Sequence, residues 1–302
     1  MKKINAFLAT GNIVNSINSH ICRTAIFVGM NAFDKITEAA DFLRPYNTAQ
    51  AKIGVILGSG LGNFVQEIKV QHEIPYAKIP HFPVSTVQGH SGKLIFGTIA
   101  EKPIIAMAGR FHFYEGYAAE DVVLPIRVMK LLGVQTLLLS NAAGGVNPSF
   151  KVGDLMIITD HISFATKNPL IGKNDERFGP RFPDMSEPYK KTLIEKARAI
   201  GKEAGLNLKE GVYFAVTGPT FETRAEYKMI HVLGGDAVGM STVQEVIVAV
   251  HMGMDAFAMS VITDIGIREE ENVITHEEVL QAAKEAEPKF STVFRELIRS
   301  ID

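Results

Sequence analysis

The chain has 302 residues, 46% of them hydrophobic, and a formal net charge of -2, which is length enough for one large core or two smaller ones. The balanced charge argues against a nucleic-acid binder, for which a clustered excess of Lys and Arg is expected, and no apolar run approaches the roughly eighteen residues needed to span a bilayer. A single cysteine, Cys22, excludes an internal disulfide framework or a cysteine metal site and favours a reducing compartment, the cytoplasm.

Residues 1–29 fit poorly with the rest of the chain. Lys2 and Lys3 precede a short apolar patch, but Asn12, Asn15, Asn18 and Ser19 interrupt it, so the apolar core of a secretory signal is missing. The stretch reads as an atypical N-terminal extension, a candidate for disorder, ahead of one domain over residues 30–302. From Asp34 a helical pattern begins (Ile36, Ala39, Ala40, Phe42, Leu43), and Pro45 ends it.

Ile53 to Leu57 is an apolar strand followed directly by Gly58-Ser59-Gly60-Leu61-Gly62. A glycine-rich turn after a strand suits phosphate, on bare N–H groups or on the Ser59 hydroxyl. As a dinucleotide fingerprint it fails, because the glycine spacing is wrong and no acidic residue stands in 77–83 to hold a ribose. Gly89-His90-Ser91-Gly92 then links two short strands; a lone histidine in such a turn is more often structural than chemical. Ile104 to Ala108 is a further strand, and it leads into Gly109-Arg110-Phe111-His112-Phe113-Tyr114-Glu115. If that segment is extended, Arg110, His112 and Tyr114 share one face, with Arg110 suited to fork onto two phosphate oxygens. The alternative is an exposed polar face with the phenylalanines packed inward.

A helix is expected from Val122 to Leu132 with Gly133 as its cap. Gln135 to Leu139 reads as a strand buried on both faces, ending in a turn of small residues, Asn141-Ala142-Ala143-Gly144-Gly145. Such a turn can bring backbone N–H groups against an anion or a flat ring, or can merely let a loop pass a neighbouring strand. After a strand near Met156 to Ile158, residues 168–185 form a long loop of the kind that is usually functional or mobile. Pro188 opens a helix to about Ala204, and Val212 to Val216 is a strand. Thr223 and Glu226 have the capping-box spacing, so a helix starts near Arg224 with Phe221 and Glu222 at its mouth. Ala237 to Met240 is a strand end, Ser241 and Thr242 open a helix carrying Glu245, Ala256 to Ile262 is a buried strand ending at Thr263-Asp264, and a last helix runs from about His276 to Ile298. This alternation predicts an α/β fold: a single domain with a central mixed, largely parallel β-sheet flanked by helices.

Seven motifs, GSGLG (58–62), GHSGK (89–93), GRFHFYEGY (109–117), NAAGG (141–145), NDERFGPRFPDMS (174–186), GPTFETRAE (218–226) and VGMSTVQE (238–245), resemble in order those of the trimeric purine nucleoside phosphorylases. The likeness covers roughly residues 34–300. It implies the nucleoside phosphorylase fold and a cytoplasmic homotrimer in purine salvage. The implied reaction is reversible phosphorolysis of purine nucleosides, chiefly inosine and guanosine, to free base and pentose 1-phosphate. By the same resemblance Ser59, His90, Arg110, His112, Ser241 and the Ala142 backbone would hold phosphate. Tyr114, Met240 and His276 would meet the ribose, with Phe182 supplied to a neighbouring subunit. Phe221, Glu222, Val238, Thr263 and Asp264 would hold the base, with His112 and Asp264 closest to catalysis. Inorganic phosphate would be a co-substrate, with no metal or organic cofactor and no nucleic-acid or membrane partner.

One position departs from the pattern. The 6-oxopurine-specific members of that family carry Asn where this chain has Asp264. Asn can donate to O6, whereas an ionised Asp can only accept. An Asp there is similar to the methylthioadenosine phosphorylases, which lack the Phe221-Glu222 pair. Three readings therefore stand: an inosine and guanosine phosphorylase, a methylthioadenosine or adenosine phosphorylase, and a catalytically silent nucleoside- or phosphate-binding protein.

Overall fold

The apolar run Ile53–Leu57 is a strand, β1, buried at every position, which explains why it shows no alternation. It pairs in parallel with β4 (Lys102–Ala108) on one side and β5 (Thr136–Gly145) on the other. β3 (Lys93–Ile99) and β2 (Lys69–Pro75) extend the sheet beyond β4 as antiparallel neighbours. On its far side β5 pairs with β9 (Asp255–Ile265) in parallel, and on the β1 side its last two residues pair with β8 (Ala237–Gly239) antiparallel. β6 (Leu155–Ile162) and β7 (Lys209–Ala215) complete the order, β6 against β9 and β7 against β8. Because β6 and β7 also pair with each other, β5, β8, β7, β6 and β9 close into a small barrel, and β1 to β4 form a wing attached to it through β5.

This computed structural model describes residues 30–84, 91–267 and 274–302. The expected N-terminal extension, 1–29, and the expected phosphate ligand His90 lie outside the described residues. Ala32–Asp302 forms one compact unit. Its helices are α1 (Ala32–Leu43), α2 (Ala119–Val122), α3 (Leu124–Leu131), α4 (Lys191–Glu203), α5 (Arg224–Val232), α6 (Val243–His251) and α7 (His276–Ser300). The mixed sheet with flanking helices is the fold class read from the alternation of strands and helices. Among the described residues no helix is long and apolar enough to cross a membrane.

Two expected elements differ. The single helix from Val122 to Leu132 is two short ones, α2 and α3, because Pro125 stands in the first turn of α3 and cannot continue a preceding helix. The expected turn at Asn141-Ala142-Ala143-Gly144-Gly145 is instead the second half of β5. Small residues there serve close packing: a Cβ on Gly144 would stand 2.8 Å from the Tyr227 hydroxyl. The strand is nonetheless available to a ligand on one side. β1 pairs with it only as far as Leu139 and β8 begins at Gly144, so no ladder covers residues 140–143 on that side.

Candidate active site

The ends of β1, β4, β5, β8 and β9 converge on one cavity, closed by the mouth of α5 and the start of α7. Its wall brings together Ser59, Arg110, His112, Ala142 and Ser241 with Phe221, Glu222, Val238, Thr263 and Asp264, and with Tyr114, Met240 and His276. Phe182 is elsewhere: it is 86% exposed and lines a different hollow on the loop after β6. Among the described residues no group of three or more His, Cys, Asp or Glu could hold a metal ion.

Local sequence explains how these side chains arrive. Gly60, at a φ of 76°, turns the chain after β1 so closely under α7 that a Cβ there would lie 2.4 Å from Ala283. α7 fixes the same turn through Glu287, which accepts from the Phe64 N–H at 2.8 Å and from Asn63 Nδ2 at 2.9 Å. Ser241 is placed by a tight turn in which Thr242, a β-branched residue, takes φ 71° and ψ -54°, while the Val243 N–H donates to the Ser241 carbonyl at 2.7 Å. A non-glycine residue there is strained by about 1–3 kcal/mol, and the hydrogen bond from Asn141 Nδ2 to Thr242 Oγ1, 2.8 Å, holds it. α5 begins with the capping box read from the sequence: the Thr223 hydroxyl accepts from the Glu226 N–H and the Glu226 carboxylate from the Thr223 N–H.

Arg110 is 1% exposed. Its Nε and Nη2 donate to the two carboxylate oxygens of Glu245 at 3.1 and 2.9 Å, and Nη1 donates to the Ser140 carbonyl. The fork expected to grip an anion is therefore closed, along its Nε–Nη2 edge, onto a buried carboxylate. The physical reason is desolvation: a guanidinium this deep needs a hydrogen-bonded counter-charge. Arg110 meets the cavity as a fixed positive charge.

His112 and Tyr114 reach the cavity by a different route from the extended face expected. His112 is extended, but Tyr114 lies in the one-turn helix Phe113–Glu115, which brings the two rings into a stack 4.7 Å apart at 13°. Burial lowers the His112 pKa below its ordinary 6.5, partly offset by the Glu115 carboxylate 3.3 Å from Nδ1. Burial pushes the Tyr114 hydroxyl up to about 12. Burial raises the Glu222 pKa, and the neighbouring Asp264 adds to the rise. The Tyr227 hydroxyl donates to Asp264 Oδ2 at 3.0 Å, and Thr263 Oγ1 lies 3.2 Å from Asp264 Oδ1. The cavity wall thus carries two clusters: a buried cation with hydroxyls and an imidazole, and two carboxylates sharing one phenol beside Phe221.

Residues 52–299 match the phosphorylase superfamily. Purine nucleoside phosphorylase 1 of Geobacillus stearothermophilus is 49% identical over 266 residues, which span 88% of this chain and 97% of that one. The chain belongs to the purine nucleoside phosphorylase family. Two solved structures of Schistosoma mansoni enzymes agree. Isoform 2, in complex with cytosine and ribose-1-phosphate, has a TM-score of 0.86 at 43% identity, covering 90% of this chain and 99% of that one. A second, in complex with adenosine, has 0.85 at 42%, with the same coverage of each chain.

In this family member the sequence reading missed two residues of the cavity wall, Tyr227 and Asn141, and the buried partner of a third, Glu245 behind Arg110. Glu245 was noted only as part of its helix, although a carboxylate within the apolar run of α6, Val243–His251, is a signal that it needs a buried cation. Tyr227 fits the apolar face of α5 and so reads as core. Asn141, whose Oδ1 is buried without a partner in the cavity wall, was read only as a small turn residue.

Proposed function

We propose that this enzyme phosphorolyses purine nucleosides, chiefly inosine and guanosine, and that the reaction is reversible. The observation that carries the reading is the polarity of this cavity. Phosphate, with its negative charge, belongs at the end built from Arg110, Ser59, His112 and Ser241 and the uncovered side of β5. The purine belongs between Phe221 and Val238, where Glu222 and Asp264 can meet its polar edge. The ribose then lies between them, against Tyr114, Met240 and His276.

In this arrangement the bond from C1′ to N9 lengthens first and its electron pair leaves with the purine. A phosphate oxygen forms the new bond to C1′, so base and pentose 1-phosphate are the products and no covalent enzyme intermediate is needed. Arg110 holds the nucleophile beside the cationic sugar, and donors at the base end receive the negative charge on the purine. Buried neutral His112 offers one nitrogen to Glu115 and the other to a phosphate oxygen or its proton. Inorganic phosphate is a co-substrate in this scheme, which calls on no metal or organic cofactor. The exposure of Phe182 supports its insertion into a neighbouring subunit and hence a homotrimer. Purine salvage in the cytoplasm is the corresponding cellular role.

Release of hypoxanthine from inosine should depend on phosphate and yield ribose 1-phosphate. No release, or equal release without phosphate, overturns the reading. The second reading, adenosine or methylthioadenosine phosphorolysis, is favoured by one observation, the carboxylate at position 264 with a donor already bonded to it.

A further inference from the structure

The base end of the cavity holds two carboxylates and one phenol. The Tyr227 hydroxyl is bonded to Asp264 at 3.0 Å, and the Glu222 carboxylate is close enough to act on the same hydroxyl. Tyr227 is 3% exposed, and its seat is built for it. A Cβ on Gly266 would stand 2.0 Å from two carbons of its ring, and one on Gly144 would stand 2.8 Å from its hydroxyl and 3.1 Å from Asp264 Oδ2. Only glycine at both positions lets the phenol reach the carboxylates.

Two ionised carboxylates in a shared, poorly solvated site repel each other, so the pair retains a proton more readily than either group alone. A phenol between them is suited to either arrangement of that proton, because it can donate to the ionised member and accept from the protonated one. Burial keeps the Tyr227 hydroxyl protonated. Its hydroxyl is bonded to Asp264 Oδ2 at 3.0 Å and also lies within reach of Glu222. The other groups to be counted are Glu226, whose charge also bears on Glu222, the Thr263 hydroxyl beside Asp264, and His276 in the cavity wall.

We propose that Glu222 and Asp264 share one proton through Tyr227, and that its position lets one site read both 6-amino and 6-oxo purines. This rests on the phosphorolysis reading, in which the purine lies between the two carboxylates. With the proton on Glu222, that residue donates to the bare N1 of a 6-aminopurine while ionised Asp264 accepts from its amino group. With the proton on Asp264, that residue donates to O6 while ionised Glu222 accepts from N1–H. Each arrangement matches one edge and opposes the other, so an Asn at 264, which cannot take part in the exchange, would favour the 6-oxo edge. Tyr227 is the specificity-determining residue, since its hydroxyl is bonded to Asp264 and so favours the arrangement that fits the 6-amino edge.

The experiment compares kcat/KM for adenosine and inosine, at saturating phosphate, in wild type, Tyr227→Phe and Asp264→Asn. Wild type should cleave both. Tyr227→Phe should lower the ratio of adenosine to inosine by about tenfold, the worth of one hydrogen bond to a charged acceptor. Asp264→Asn should lower the ratio further. Both wild-type activities should fall together at alkaline pH as the pair loses its proton, whereas the inosine activity that Asp264→Asn retains should fall less over the same range. A folded Tyr227→Phe enzyme with the wild-type ratio, or a wild type active on inosine alone, overturns the proposal and leaves the phosphorolysis reading standing. A wild type that releases base from neither nucleoside overturns both.

Discussion

Two arginines lie buried beside two cavities, and they are held in opposite ways. Arg110 is clamped by Glu245 and the Ser140 carbonyl. Arg127, in α3, is 9% exposed with its Nη1 buried and unpartnered, and its guanidinium lies 4.5 Å over the ring of Phe178. Burial lowers its pKa to about 10, and the nearby Asp175, which pulls the other way, is itself bonded by Arg177. Beside Arg110 the wall carries the Ser59 and Ser241 hydroxyls and His112, whereas beside Arg127 it carries His251 and two lysines, Lys35 and Lys173, matched by Glu120, Asp121 and Asp175. A buried cation alone therefore does not mark a substrate site. What distinguishes the first cavity is a cation clamped by a buried carboxylate, with further donors lining the same space.

That comparison predicts unequal consequences. Arg110→Met should leave Glu245 as a buried, unpaired carboxylate and cost about 3–5 kcal/mol of stability, with loss of phosphate-dependent turnover. Replacing Glu245 by Leu as well should restore most of the stability, because a buried ion pair exchanged for apolar groups is close to neutral, and should restore no activity. Urea titrations and an inosine assay on the single and double variants measure both effects. A double variant as unstable as the single one would mean that the pair holds the fold together rather than the substrate.

A smaller effect is expected at the second cavity. Arg127→Met gives up a cation–π contact worth about 0.5–2 kcal/mol but also relieves an unpartnered buried charge. The net change in unfolding free energy should stay within about 1 kcal/mol by these opposing terms, with the KM for phosphate unchanged. If Arg127→Met destabilises as much as Arg110→Met, or shifts the phosphate KM, the two arginines are not the contrasting pair described.

Much of the fold was legible because its signals are local. β1, the capping box of α5 and the start of α7 at His276 are written in neighbouring residues: an apolar run, Thr223 with Glu226, and Thr275 with Glu278. The cavity lining was legible where residues stand at or just beyond a strand end, Ser59 after β1, Arg110 after β4 and Asp264 as the next-to-last residue of β9. What could not be read is tertiary. Arg110 and Glu245 are 135 positions apart, so nothing local joins them. The run of small residues in β5 looked like a turn because its reason, room for Tyr227 and for Ile265 against Gly145, lies on elements far along the chain.

The smallest effect concerns the two histidines that accompany these arginines. Burial lowers the pKa of both His112 and His251 from 6.5. A neighbouring arginine deepens each shift, Arg110 at His112 and Arg127 at His251, and the shift is opposed by Glu115 at the first and by the Pro180 and Gly179 backbone at the second. A lowered histidine pKa means that the folded state binds fewer protons than the unfolded state below about pH 6.5. The stability each contributes is therefore fully present above that pH and is lost as pH falls through the folded-state value, with a slope of at most about 1.4 kcal/mol per pH unit for each group. His112→Gln and His251→Gln should each flatten the fall in urea midpoint between about pH 7 and about pH 5. Phosphate separates them: an anion bound beside His112 favours its charged form and should flatten the wild-type profile and that of His251→Gln. It should not flatten the profile of His112→Gln any further. If phosphate acts equally on all three profiles, the anion does not sit against His112 and the cationic end of the cavity has been assigned to the wrong ligand.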